Sequence, residues 1–162
     1  MKRRPLMRFC RDQDGAALVE FGLLFPIFML MLGMTVEGAR TYLAYQTTVS
    51  GVRDATRFIS RVADVDTCTT GAGLSGWNDR LALIVAADAG GRSLMPVAVQ
   101  VEDVTATLSC PANGLRGGAT PLATVTATLR IQYPFSGLMR LAGVRTDTLT
   151  TTVSDQTRIL GS

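Results

Sequence analysis

Between Asp14 and Glu37 lie 22 residues with one ionisable side chain among them, Glu20. Leu23, Leu24, Phe25, Ile27, Phe28, Met29, Leu30, Met31 and Leu32 make this an almost unbroken apolar run. As a helix the segment rises about 33 Å, enough to cross a hydrocarbon core of ~30 Å. Gly22, Gly33 and Pro26 would weaken a helix in water, but membrane helices tolerate both residue types. A membrane segment therefore has to be settled before any fold argument. Apolar residues make up 47% of the chain and charged residues 18%, against about 25% charged in soluble domains. That excess is concentrated between Ala16 and Val36, and the 162 residues otherwise suit one domain.

The charge distribution orients the segment. Lys2, Arg3, Arg4, Arg8 and Arg11 precede it, opposed by Asp12 and Asp14, and the other charges of the chain cancel. The whole net charge of +3 thus lies ahead of Ala16. The positive-inside rule places the N-terminus in the cytoplasm and the chain from about residue 38 outside. No basic face remains beyond residue 15 to grip phosphates, so nucleic acid is set aside as a partner. A cleaved secretory signal is the alternative, but its apolar region is shorter, about 7–15 residues, and "TVEGARTYLA" offers poor small-residue spacing for a cleavage site.

Glu20 needs a reason to be there. A charged carboxylate at the bilayer centre costs about 2.5–3.5 kcal/mol, less toward an interface. Near the cytoplasmic end it can snorkel to the headgroups, which explains its tolerance but not its position five residues after Gly15. If the chain is cut between Gly15 and Ala16, a new ammonium appears at residue 16 and Glu20 becomes the fifth residue. In a bundle of such helices, a Glu20 carboxylate facing the amine of a neighbouring subunit offsets two costly charges and sets the axial stagger.

The basic leader, Gly15, and Glu20 followed by Phe21 resemble the processing site of type IV prepilins and pseudopilins. More specifically, "DGAALVEFGLLFPIFMLMLGMTVEGAR" is similar to the N-terminus of the TadE-like family of the tight-adherence (Flp) pilus. Gly15, Ala16, Ala17, Val19, Glu20, Phe21, Pro26, Val36, Glu37 and Arg40 carry the match. "YQTTVSGVRDATRFISR" resembles the family's helical continuation, and "YPF" at 133–135 its strand exit. The resemblance implies a leader over residues 1–15, removed by a prepilin peptidase, and a membrane helix over 16–36. It further implies a minor pilin or pseudopilin in the bacterial inner membrane, its C-terminus periplasmic, and later in the pilus or on the cell surface. Its partners would be other pilins and pseudopilins, the inner-membrane assembly platform and the bilayer. Phe21, Pro26, Glu37 and Arg40 become candidate subunit contacts. For Glu37 the simpler reading is a marker of the outer membrane boundary, with Arg40 as its helical neighbour. Flp-type major pilins are very short, so a body of about 100 residues points to a minor, priming or tip role.

Beyond the span, Tyr42, Tyr45, Val49, Val52, Ala55, Ile59 and Val62 recur at three- and four-residue spacing. They predict a helical continuation over 37–63 whose stripe packs on a sheet, with a coiled-coil or partner stripe as the competing use. Gln46, Ser50, Arg53, Arg57 and Arg61 occupy the other side. Residues 64–162 read as an extracytoplasmic body. It opens with a loop over 64–80, then a short helix capped by Ser75 or Asn78 and running to Ala89, stopped by Gly90 and Gly91. "VAVQV" sets Val97, Val99 and Val101 on one strand face, and "TATLSC" follows a break at Glu102–Asp103. A turn spans 111–121. "LATVTATLRIQY" turns Val125, Ala127, Leu129, Ile131 and Tyr133 one way and is ended by Pro134. "DTLTTTVSDQTRI" reads as the last strand. The fold class is α+β, a long helix on three or four antiparallel strands.

Cys68 and Cys110 would both be exported, where disulfides persist. The oxidising side and a small body favour a bridge between Cys68 and Cys110 over two small buried residues that never meet; Cys10 leaves with the leader. The chain has no histidine, which removes imidazole acid–base chemistry, Ser–His and Cys–His nucleophiles and the usual mixed Cys/His zinc sites. Asp64, Asp66 and Asp79 form no recognisable catalytic constellation, and no Gly-rich phosphate loop is present. No enzyme, cofactor or metal is expected. Besides a pilus subunit, the sequence allows an uncleaved bitopic protein with an extracytoplasmic binding domain.

Overall fold

The computed structural model describes residues 14–87, 91–112, 119–141, 143, 145 and 147–161. The basic leader and Cys10, Gly90 and most of the turn after Cys110 lie outside the described residues.

Helix α1, Asp14–Val62, runs unbroken for 49 residues, about 73 Å. Pro26 lies inside it. A proline ring collides with the carbonyl four residues earlier, and here that residue is Gly22, whose backbone is the easiest to adjust. Two short segments follow α1: α2, Thr67–Thr70, and a 3₁₀ turn at Ser75–Trp77. Next come α3 (Asn78–Ala86), β1 (Val99–Ser109), β2 (Leu122–Gln132), α4 (Ser136–Leu141) and β3 (Thr148–Arg158). The strands form one antiparallel sheet in the order β1-β2-β3. The outer half of α1 lies across β2 and β3, and α3 fills the corner between α1 and β1. This is the α+β helix-on-sheet layer pair the sequence predicts.

The core follows the two periodicities. Ala123, Val125, Ala127, Leu129 and Ile131 are buried from alternate positions of β2, the central strand. They meet Val52, Ala55 and Ile59 of α1 and Leu81 and Val85 of α3. The expected break at Glu102–Asp103 is a bulge inside a continuous β1. Val101 pairs with Leu129 and Asp103 with Thr128, so Glu102 is the extra residue. The insertion shifts parity, which is why Val99 faces inward before it and Val104 and Ala106 after it. Glu102 itself pairs with Arg130 at 2.9 Å on the solvent face.

Four local expectations are corrected. Val97 precedes β1 and is 85% exposed, because Ala98 takes a left-handed φ of 67° that turns the chain before the strand begins. Helix α3 ends at Ala86, short of the expected Ala89, because Ala87 is extended and bridges Ser93 antiparallel. Neither Ser75 nor Asn78 caps that helix by its side chain. Instead Asn78 Oδ1 accepts the Ala106 N–H at 3.0 Å, satisfying a donor on the free edge of β1.

The fourth correction concerns the α1 stripe. Val52, Ala55 and Ile59 are buried as expected, but Tyr42 and Tyr45 are 61% and 46% exposed and Val62 is exposed too. The packed positions nearer the span are Glu37, Ala44, Thr48 and Gly51. Small side chains let helix and sheet approach closely, and the hydroxyls are satisfied locally. Thr48 donates to Ala44 O at 2.8 Å and Thr56 to Val52 O at 2.7 Å. Gly51 is where α1 and α3 touch. A Cβ there would lie 2.8 Å from Val85 O and 3.0 Å from its Cα. Gly51→Ala should therefore lower stability by about 1–3 kcal/mol through overpacking, although alanine favours helix by ~1 kcal/mol. Urea denaturation of the full chain in detergent checks the sign.

Candidate assembly face and helix–body junction

The first half of α1 stands clear of the body. Leu18, Val19, Phe21, Leu24, Phe25 and Phe28 are all exposed, and among the described residues no other element packs on them. It is the one helix among the described residues long and apolar enough to cross a membrane, which fits a single-pass membrane protein. Gly15 and Ala16 lie in the first described turn and are exposed. Glu20 stands one turn beyond, exposed and without a hydrogen-bond or ion-pair partner among the described residues. Phe21 and Phe25 stack one turn apart with centroids at 5.5 Å. Gly15, Ala16, Glu20, Phe21 and Pro26 thus sit on one bare rod, with no contact to the body.

Glu37 and Arg40 are placed differently. Glu37 is 2% exposed, buried where α1 meets the base of the sheet. Its Oε1 accepts the backbone N–H of Phe135 at 2.8 Å, across 98 positions of sequence. Pro134 stops β2 and turns the chain, leaving the Phe135 amide without a strand partner. The carboxylate supplies one. One turn further, the Arg40 guanidinium donates to the carbonyl of Val97, the residue before the left-handed Ala98. These two side chains, on one face of α1, clamp the exit of β2 and the entry of β1 to the helix just beyond the apolar segment. Sequence reasoning gave both residues a possible intersubunit role and missed their backbone partners. The signal for Phe135 was present in the proline that forces an unpaired amide at a strand end; Val97 gave none.

At the opposite end of the body, Cys68 and Cys110 form a disulfide with Cα atoms 5.8 Å apart. It ties α2 to the end of β1. Beside it, Leu160 N–H donates to Ser60 O at 2.9 Å, returning the chain after β3 to the end of α1. The body is thus stapled at its far end and clamped at its base.

Between clamp and sheet lies a groove of about 650 Å³. Met34, Gly38, Tyr42 and Tyr45 line it from α1, Ile131, Tyr133 and Leu149 from the sheet. Its walls are mostly apolar, with Glu37 at its floor. Among the described residues no group of three or more His, Cys, Asp or Glu side chains is placed to hold a metal.

Replacing Glu37 tests the clamp. Glu37→Leu orphans the Phe135 amide, which should cost about 1–3 kcal/mol and raise hydrogen exchange at Phe135 at least tenfold. Glu37→Gln keeps an acceptor oxygen and should retain most of the protection.

Residues 15–57 match the family model described as TadE-like protein. The match covers the bare rod and the clamp and stops inside the buried part of α1. No curated protein and no solved structure matches the chain.

Proposed function

We propose that this chain, whose residues 15–57 carry the TadE-like segment, is a minor pilin or pseudopilin of a tight-adherence pilus. A prepilin peptidase cuts it after Gly15, and the mature subunit starting at Ala16 enters or primes the fibre for surface adherence. Before processing, residues 16–36 hold it in the inner membrane with the leader in the cytoplasm and the body in the periplasm. Lipid surrounds the rod there, and the assembly platform and other pilins replace the lipid when the subunit is extracted.

One observation carries this reading: among the described residues Glu20 has no partner, on an apolar rod that the body leaves bare. Such a side chain is costly in lipid and in a helix bundle alike unless a cation meets it. The ammonium released at Ala16 of a neighbouring subunit is a cation of the right place and charge. Phe21 and Pro26 pack against adjoining helices, and the clamp at Glu37 and Arg40 fixes how each body sits on its rod.

The reading is tested on fibres sheared from cells. Quantitative mass spectrometry should find the chain in the sheared fraction at a small percentage of the major subunit. Confinement to the membrane fraction of cells that make fibres would favour an uncleaved bitopic protein with a periplasmic binding domain.

A further inference from the structure

Cover on α1 begins lower than the clamp. Gly33 is buried and Met29 and Leu30 are half-buried, although all three belong to the apolar run. Among the described elements that touch α1, α4 is the one that follows directly from Phe135, whose amide is held at Glu37. It is therefore the part of the body within reach of Gly33. With Ala16–Val36 as the span, Gly33 lies about 5 Å inside its outer end and Met29 about 10 Å. α4 thus sits where hydrocarbon gives way to headgroups, with the sheet rising away from it into water.

The chemistry of the segment suits that level. "PFSGLMRLAGVR", residues 134–145, holds two ionisable side chains, and both are arginine. Phe135 is 41% exposed beside the clamp. Arg140 and Arg145 are exposed and line one pocket. The Asp147 carboxylate pairs with Arg140, which leaves the three groups with one net positive charge. Paired guanidiniums offer a phosphate two forks of donors. An apolar stretch edged by arginine is also how a short segment lies in a membrane interface. Height selects the anion, because the phosphates at this level belong to lipid headgroups.

We infer that α4 and the two arginines form a foot on the outer leaflet, with Phe135 and α4 at the top of the acyl chains and Arg140 and Arg145 on the phosphates of anionic lipid. This rests on the part of the proposed function that puts residues 16–36 across the bilayer with the body outside; it needs neither processing nor a fibre. The foot is a second attachment beside the span. Together they fix the height and tilt of the body on the membrane, and extraction of the subunit has to break both.

The test uses full-length chain in bilayer discs made of equal parts phosphatidylcholine and phosphatidylglycerol. A photoreactive phenylalanine analogue replaces Phe135, and the mass of the irradiated chain identifies the lipid attached. Adducts with phosphatidylglycerol should exceed those with phosphatidylcholine at least threefold. Arg145→Gln, which leaves the Arg140–Asp147 pair in place, should lower that ratio. Arg140→Gln/Arg145→Gln should bring it close to one, with the urea midpoint of the body unmoved. Equal adducts of the two lipids from the parent chain, or none, with the chain held in the discs, overturn the foot and leave the span standing. A preference erased by inorganic phosphate, but not by chloride at the same ionic strength, would reveal a site for free phosphate and overturn the foot too. Chain that does not stay in the discs overturns span and foot together.

Discussion

Removing the Cys68–Cys110 bridge is expected to lower the stability of the body by about 4 kcal/mol. The cysteines are 42 positions apart, and the chain-entropy model assigns a closed loop of that length ~4 kcal/mol. That is a large share of the 5–15 kcal/mol typical of a whole domain. The position raises the consequence. The loop closed by the bond includes α2, the 3₁₀ turn, α3 and β1, so without it one edge of the sheet and the helix covering that edge gain freedom together. Urea denaturation of the Cys68→Ala/Cys110→Ala variant, against oxidised and reduced parent, measures the effect. Variant and reduced parent should agree, both below the oxidised chain. Equal midpoints for all three would mean that the loop is constrained by packing alone.

The second large effect concerns assembly. On the proposed processing, Glu20→Ala removes the carboxylate but not the ammonium that cleavage after Gly15 would create. A charge left unpaired in an apolar interior costs about 3–5 kcal/mol, and each 1.4 kcal/mol is tenfold. The amount of chain in sheared fibres should fall at least a hundredfold, with the membrane level unchanged. Because Glu20 is exposed and has no partner in the body among the described residues, the unfolding midpoint should not move. Glu20→Asp should lie between, its shorter side chain keeping the charge but not the reach. Normal incorporation of Glu20→Ala would remove the pairing mechanism.

Much of the fold could be read from periodicity, and the failures have physical causes. β2 is central and buried along one face, so strict alternation from Val125 to Ile131 marked it without help from other strands. β1 is an edge strand with an inserted residue, and Glu102 broke the very alternation used to find it. The helix stripe was right where the body covers α1 on two sides, at Val52, Ala55 and Ile59. It was wrong toward the span, because close packing there selects Ala44, Thr48 and Gly51 while the larger Tyr42 and Tyr45 face the open groove. Hydrophobicity finds burial only where volume is needed to fill it.

The functional features divide similarly. Gly15, Glu20 and the apolar run are local in sequence, and the TadE-like match begins at residue 15. Glu37 was visible as an odd charge beside the run, but its partner is the Phe135 amide, 98 positions away. Pro134 marks an amide in need of an acceptor, but nothing local says that Glu37 supplies it. The groove is hidden for the same reason, since its two walls come from α1 and from strands more than 80 positions later.

The most direct test is the N-terminus of the chain taken from the membranes of cells with and without the prepilin peptidase. The account predicts a chain beginning at Ala16 where the enzyme is present and one retaining Met1–Gly15 where it is not. An intact leader in both, in cells making normal fibres that contain the chain, would contradict it.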